Sequence, residues 1–187
     1  LAALGHHVVA VEPLDEMLDR LRVAVPGVTA VVGTAESMPL PDASADVVAC
    51  AQAFHWFDPG TSLAEMARVL RPGGRIALVW NVRDERVPWV DEMSDAMVGR
   101  TGVDRHSGAI ERSGLYGEVE RARFEHSQDV DREALRELVL SRSYCAVLPE
   151  EERAPILGRV DAVFDAYARD GVLTLPYVVE CFRAVRL

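Results

Sequence analysis

Residues 8–18 read Val8-Val9-Ala10-Val11-Glu12-Pro13-Leu14-Asp15-Glu16-Met17-Leu18. The opening apolar run predicts a short buried strand closed by one carboxylate, Glu12. From Leu14 the apolar positions fall at 14, 17, 18, 21 and 25, which is the spacing of a helix face. Pro26-Gly27 stops that helix. A strand that ends in a single acid is one way in which α/β folds grip a ribose. The carboxylate accepts from two neighbouring hydroxyls, and Pro13 and Leu14 offer an apolar wall to a base. A solvated cap at a strand end gives the same residue pattern, so Glu12 alone decides nothing.

The strand-then-helix pattern recurs downstream. Strands are expected at Thr29–Val32, Asp46–Ala51 and Arg75–Trp80, with a helix over Thr61–Leu70, a loop over Glu36–Ser44 and a tight turn at Arg71-Pro72-Gly73-Gly74. Asp58, before Pro59, is expected to cap the following helix. The small apolar strand Asp46–Ala51 reads as central, covered on both faces. Such alternation implies a mostly parallel sheet with helices on both sides. Beyond it come helices at Val90–Val98, Ala109–Ser113, Asp131–Ser141 (Asp131 capping) and Pro149–Asp170. Strands are expected at Val119–His126 and Tyr177–Val185, which suggests an antiparallel finish. A polar stretch, Gly99–Gly108, carries little pattern. One domain over 1–187 is expected, with halves at 1–84 and 85–187.

Composition narrows the chemistry. The net charge is −10, a poor match to a phosphate backbone, so no nucleic-acid partner is expected. All 20 basic residues are Arg, which removes Schiff-base and P-loop lysine chemistry. Cys50, Cys145 and Cys181 lie far apart, with no metal-ligand spacing, and fit reduced thiols in a cytoplasmic protein. No apolar run approaches the ~20 residues of a membrane span, so no membrane partner is expected.

In open parallel sheets ligands bind beyond the carboxyl ends of the strands. Those ends here are Glu12-Pro13-Leu14, Gly33-Thr34-Ala35-Glu36-Ser37, Ala51-Gln52-Ala53-Phe54-His55-Trp56-Phe57-Asp58 and Asn81-Val82-Arg83-Asp84. With VVAVEPLDEML (8–18), GTAESMPLPDASADVV (33–48), AQAFHWFD (51–58) and EMARVLRPGGRIALVWN (65–81), the chain resembles the class I S-adenosylmethionine-dependent methyltransferases of the type 11-like, small-molecule branch. The likeness covers residues 1–84 in order and spacing. It implies a Rossmann-like, doubly wound sheet with an antiparallel last strand. The family's first strand and its Gly-rich loop are absent from this sequence and are expected upstream of Leu1.

The resemblance implies S-adenosyl-L-methionine as cofactor. Glu12 would hold its ribose hydroxyls, Pro13 and Leu14 its adenine face, and Ala35 and Glu36 the adenine edge. Ala51, Gln52 and Ala53 would lie under the methionine part. His55 and Trp56 would face the methyl group or the acceptor, with Tyr144 as a further pocket residue. The implied reaction is in-line methyl transfer to a small molecule at O, N or a carboxylate oxygen. Positioning supplies most of the catalysis. An acceptor with a proton to lose needs a base, and His55 is the candidate. A dry aromatic pocket with Trp56, Trp80 and Trp89 is expected. A nicotinamide dehydrogenase also uses an acid after its second strand, and a non-catalytic methyltransferase-like binding protein would share the same motifs. Both stay open as alternatives.

Overall fold

The computed structural model describes residues 1–97, 107–142, 145 and 147–187. Among the described residues, six strands and six helices follow a one-turn 3-10 segment at Ala2–Leu4. In chain order they are β1 (Val9–Glu12), α1 (Asp15–Ala24), β2 (Thr29–Val32), β3 (Ala45–Ala51), α2 (Pro59–Val69), β4 (Leu70–Arg83), α3 (Pro88–Ala96), α4 (Ser107–Ser113), β5 (Glu120–Val130), α5 (Arg132–Leu140), α6 (Glu150–Tyr167) and β6 (Leu173–Val185). Two compact units share the chain. The first takes in the described residues of Leu1–Val79, the stretch ending at Arg121, and Cys181–Leu187; the second takes in those of the stretch beginning at Trp80 and of Ala122–Glu180.

In the first unit β1 and β2 pair in parallel, from Val9 opposite Thr29 to Glu12 opposite Val32. They form a two-stranded sheet of their own, apart from the four-stranded order β3-β4-β6-β5. β3 and β4 are also parallel, with Val47 opposite Arg75 and Ala51 opposite Val79. The fold is thus the mixed α/β, mostly parallel arrangement that the residue pattern implies. The last strand runs against its neighbour. Asp84 N–H donates to the Pro176 carbonyl, and Arg186 N–H to the Gly74 carbonyl, so residue numbers rise on β4 as they fall on β6.

One expectation changes here. Among the described residues the hydrogen-bonded neighbour of β3 is β4, and Val47 is 55% exposed while only Cys50 is buried along the strand. The turn chemistry of 71–74 does not separate α2 from a later strand. β4 starts at Leu70, and the extra residues are absorbed as a bulge: β3 advances from Ala45 to Val47 while β4 advances from Leu70 to Arg75. Gly73, at φ +75°, supplies the left-handed backbone that the bulge needs.

The first unit's core holds Leu18, Leu63, Met66, Val69, Leu70, Ile76, Leu78 and Ile110, all buried. The buried hydroxyl of Tyr116 donates to the Leu63 carbonyl at 2.9 Å, so it carries no unmet polar atom inward. The second unit closes on a cluster that includes Val90, Met93, Val139, Val160, Phe164, Leu173 and Leu175. There Asp131 caps α5, accepting from Ala134 N–H at 2.8 Å, as its place in the sequence predicts. No helix among the described residues is long and apolar enough to cross a membrane.

Candidate active site

Within the first unit the strands β1, β2 and β3 each end in a short connection that carries the residues singled out in the sequence. Glu12 is the last residue of β1 and is half-buried. One of its carboxylate oxygens accepts from Leu14 N–H at 3.1 Å, which turns the side chain back along the exit of the strand. Among the described residues no cation pairs with it. Pro13 and Leu14 stand exposed beside it, Leu14 at 60%.

The exit of β2 is shaped by Gly33. A Cβ there would lie 2.6 Å from Pro39 Cδ, 3.0 Å from Val11 Cγ1 and 3.2 Å from the Ser37 carbonyl oxygen. Only glycine lets the chain leave β2 so close to β1. The next residues close through a bridge between Thr34 and Ser37, which presents Ala35 and Glu36, both half-buried. The Glu36 carboxylate reaches the third strand's exit and accepts from Asp58 N–H at 3.1 Å.

The exit of β3 is the most constrained. Gln52 has φ +55°, a left-handed conformation that costs a non-glycine residue about 1–2 kcal/mol. Its N–H donates to the Val79 carbonyl at 3.0 Å, which carries the β3–β4 pairing one residue past the strand. Phe54–Trp56 then forms a 3-10 turn. Phe54 points inward, 1% exposed, and meets Phe57 edge-on at 6.0 Å between ring centres. His55 and Trp56 point outward with ring centres 5.0 Å apart, and Trp56 is 69% exposed. The turn thus anchors one pair of rings and displays the other. Burial pushes the Cys50 thiol up, against the hydrogen bonds from Ala53 and Phe54 N–H, so the sulfur beneath this turn stays protonated. Asp58 caps α2, accepting from Thr61 N–H at 2.8 Å and from its hydroxyl at 2.7 Å. Those bonds hold its carboxyl below the usual range, and it acts as a cap and not an acid.

Comparison with known proteins follows the same lines. The methyltransferase-domain family matches residues 1–78. An uncharacterised methyltransferase of Mycobacterium tuberculosis H37Rv is 46% identical over 187 residues, 98% of this chain and 76% of that protein. The chain belongs to the class I S-adenosylmethionine-dependent methyltransferases. An uncharacterised methyltransferase of Schizosaccharomyces pombe is 36% identical over 173 residues, 90% of this chain and 69% of that one. Among solved structures, a putative type II methyltransferase from Anaeromyxobacter dehalogenans superposes with a TM-score of 0.69 at 28% identity, covering 99% of this chain and 84% of its own.

The methyltransferase is an enzyme whose cofactor is S-adenosylmethionine, and the dehydrogenase and non-catalytic alternatives lose their ground. The residues present fit that cofactor. A half-buried carboxylate with one oxygen oriented by backbone and no neighbouring cation is a ready acceptor for two sugar hydroxyls. The exposed Pro13 and Leu14 beside it are apolar, as a base requires. The structure thus groups Glu12, Pro13, Leu14, Ala35, Glu36, Ala51, Gln52, Ala53, His55 and Trp56 at the exits of β1, β2 and β3. Tyr144 lies outside the described residues, as does most of Gly99–Gly108. The expected dry aromatic pocket changes in character. Trp56 is exposed, Trp80 is a buried core residue of β4, and Trp89 stacks on Tyr167 at 5.8 Å.

Sequence reasoning missed Arg68. From α2 its guanidinium donates to the carbonyls of Leu40 and Met38, at 2.9 and 3.0 Å, and to the carboxylates of Asp42 and Glu65. Glu65 in turn accepts from Met38 N–H at 2.7 Å. One cation therefore holds the loop that follows Ala35 and Glu36. The pair Glu65/Arg68 shows in sequence only as an i,i+3 helix pair, and nothing local announces a reach of that length.

Proposed function

We propose that this enzyme transfers a methyl group from S-adenosylmethionine to a small-molecule acceptor at an oxygen, nitrogen or carboxylate oxygen. The observation that carries the reading is Glu12, a half-buried carboxylate oriented by Leu14 N–H at the end of a parallel strand. In this reading Glu12 holds the ribose hydroxyls. Pro13 and Leu14 cover one face of the adenine, and Ala35 with Glu36 meets its edge. Ala51, Gln52 and Ala53 lie beneath the methionine part. The sulfonium supplies a methyl group that is already activated for displacement. The chain's own task is then to orient and to exclude water, and orientation can lower a barrier by several kcal/mol, about 7–11 at best. His55 and Trp56, displayed at the third exit, contact the acceptor side. His55 takes the proton where the acceptor has one to lose. The three thiols, free and mostly buried, support a reducing, cytoplasmic setting.

Calorimetric titration of the full-length protein with S-adenosylhomocysteine tests the reading. Saturable binding of one equivalent is expected, and lost in Glu12→Ala. No heat with S-adenosylhomocysteine, together with binding of NAD, would overturn it.

A further inference from the structure

In the first unit α2 holds the loop after β2 from both of its ends. Ala35 and Glu36 sit at the tip of a tight turn, which Thr34 N–H closes on the Ser37 carbonyl at 3.3 Å and Ser37 N–H on the Thr34 carbonyl at 3.2 Å. Directly after this turn, both backbone groups of Met38 are engaged by the C-terminal part of α2. Its N–H donates to the Glu65 carboxylate at 2.7 Å, and its carbonyl accepts from Arg68 Nη2 at 3.0 Å. The Arg68 carbonyl accepts from Ala43 N–H at 2.9 Å, so the same residue also holds the far end of the loop. At the other end of the helix its cap, Asp58, donates its own N–H to Glu36 at 3.1 Å.

The hold of Arg68 has a defined geometry. Its Nε and Nη2 each donate to a different Glu65 carboxylate oxygen, both at 2.7 Å. This fork fixes the plane of the guanidinium, and a lysine ammonium cannot reproduce it. Met38 is buried, so the bonds to it are shielded from water and the hold is firm.

What the held turn presents is an acceptor. Asp58 N–H engages one Glu36 oxygen, and among the described residues nothing else is bonded to that carboxylate. An ionised carboxylate can only accept. It matches the exocyclic amine on the edge of adenine, and it sets lone pair against lone pair with a carbonyl in the same place. That contrast rejects the wrong base only while the carboxylate is kept still, because a loose Glu36 turns away from the clash.

We propose that Arg68 is a positioning residue that gives this enzyme its preference for a purine carrying an exocyclic amine over one carrying a carbonyl. It acts through Met38 and the turn at 34–37, and it touches no ligand itself. The proposal rests on the reading above, in which Ala35 and Glu36 meet the adenine edge.

The test titrates the full-length protein in a calorimeter with S-adenosylhomocysteine and with S-inosylhomocysteine, in which a carbonyl replaces the amine. The parent is expected to prefer the amine by about tenfold or more. In Arg68→Gln, checked for folding by circular dichroism, the preference falls to about threefold or less, because the adenine ligand loses affinity and its analogue does not. Arg68→Lys keeps the charge without the fork and lowers the preference in the same direction, so a Gln variant that fails to fold leaves the test intact. Arg71→Gln, which removes an exposed charge paired with Asp46, keeps the parent's preference. Equal losses for both ligands in a folded Arg68 variant would report a merely structural role and overturn the proposal. A parent without preference, or a fall in Arg71→Gln as large as that in Arg68→Gln, overturns it too. Absence of S-adenosylhomocysteine binding in the parent is a separate result, which removes the cofactor reading and this proposal with it.

Discussion

The Glu36 carboxylate accepts the Asp58 N–H at 3.1 Å, tying the loop that leaves β2 to the residue that caps α2. Two exits that are separate in sequence thereby hold one another in place. Glu36→Ala cuts this tie and leaves the cap bonds of Asp58 intact. The hydrogen bond is solvent-accessible, so the loss is small, about 0.5–1.5 kcal/mol. For a chain of this size a melting-point drop of roughly 1–5 °C follows. Differential scanning calorimetry of the two proteins measures it.

Glu12 offers the opposite balance. Its bond to Leu14 is local, and its replacement by Gln keeps the size of the side chain. Stability therefore changes by less than ~0.5 kcal/mol. A charge-assisted pair with sugar hydroxyls contributes roughly 1.5–3 kcal/mol, so S-adenosylhomocysteine affinity falls about 10- to 100-fold. Equal affinity in the two proteins would remove Glu12 from the site.

Neighbouring aromatic residues in the 3-10 turn separate into two kinds. Phe54→Ala empties a fully buried site and costs about 3–5 kcal/mol. Trp56→Ala, at an exposed position, stays within about 0.5 kcal/mol of the parent protein. Urea unfolding followed by circular dichroism distinguishes them, and comparable losses at both positions would contradict the inward–outward division.

A methyl group added at Gly33 collides with Pro39 and crowds Val11 and Ser37, and overpacking of this kind costs about 1–3 kcal/mol. At Gly158, inside α6, an added Cβ meets nothing within 4 Å, and Gly→Ala gains about 0.5–1 kcal/mol. The paired variants Gly33→Ala and Gly158→Ala should move the urea midpoint in opposite directions.

The hydrogen bond from Arg68 holds the Glu65 carboxyl below the usual carboxylate range. A folded-state value lowered in this way adds stability that is fully present above the unfolded value near ~4.3. That stability is lost as pH falls through the folded value. Arg68→Gln should therefore be less stable than the parent at pH 7. The two proteins should converge on acidification. Unfolding curves at a series of pH values check the sign, and a difference that widens toward low pH would contradict it.

Much of this arrangement is legible in the sequence where the cause is local. The β1–α1 unit follows from Val8–Val11 and the helical spacing after Leu14, and the caps at Asp58 and Asp131 follow from the side chain's reach of three residues. Where the cause is a distant partner, the sequence is silent. The small apolar residues of Asp46–Ala51 announce a strand, and nothing in them records that β4 pairs with it. β5 runs on to Val130 although Ser127-Gln128-Asp129 are polar, because an exposed edge strand needs no apolar alternation. At the site, Glu12, Glu36, His55 and Trp56 stand out by their place after strands. The holds that shape their loops, Arg68 on Met38 and Leu40 and Glu36 on Asp58, join residues more than 20 positions apart.

The four-residue run Phe54-His55-Trp56-Phe57 also bears on how easily this enzyme can change its preferences. Positions 54 and 57 carry the mechanical burden, leaving 55 and 56 open to exchange with little effect on folding. Under the proposed reading, in which these two positions face the acceptor, a two-site saturation library can alter acceptor choice there while the scaffold stays as it is.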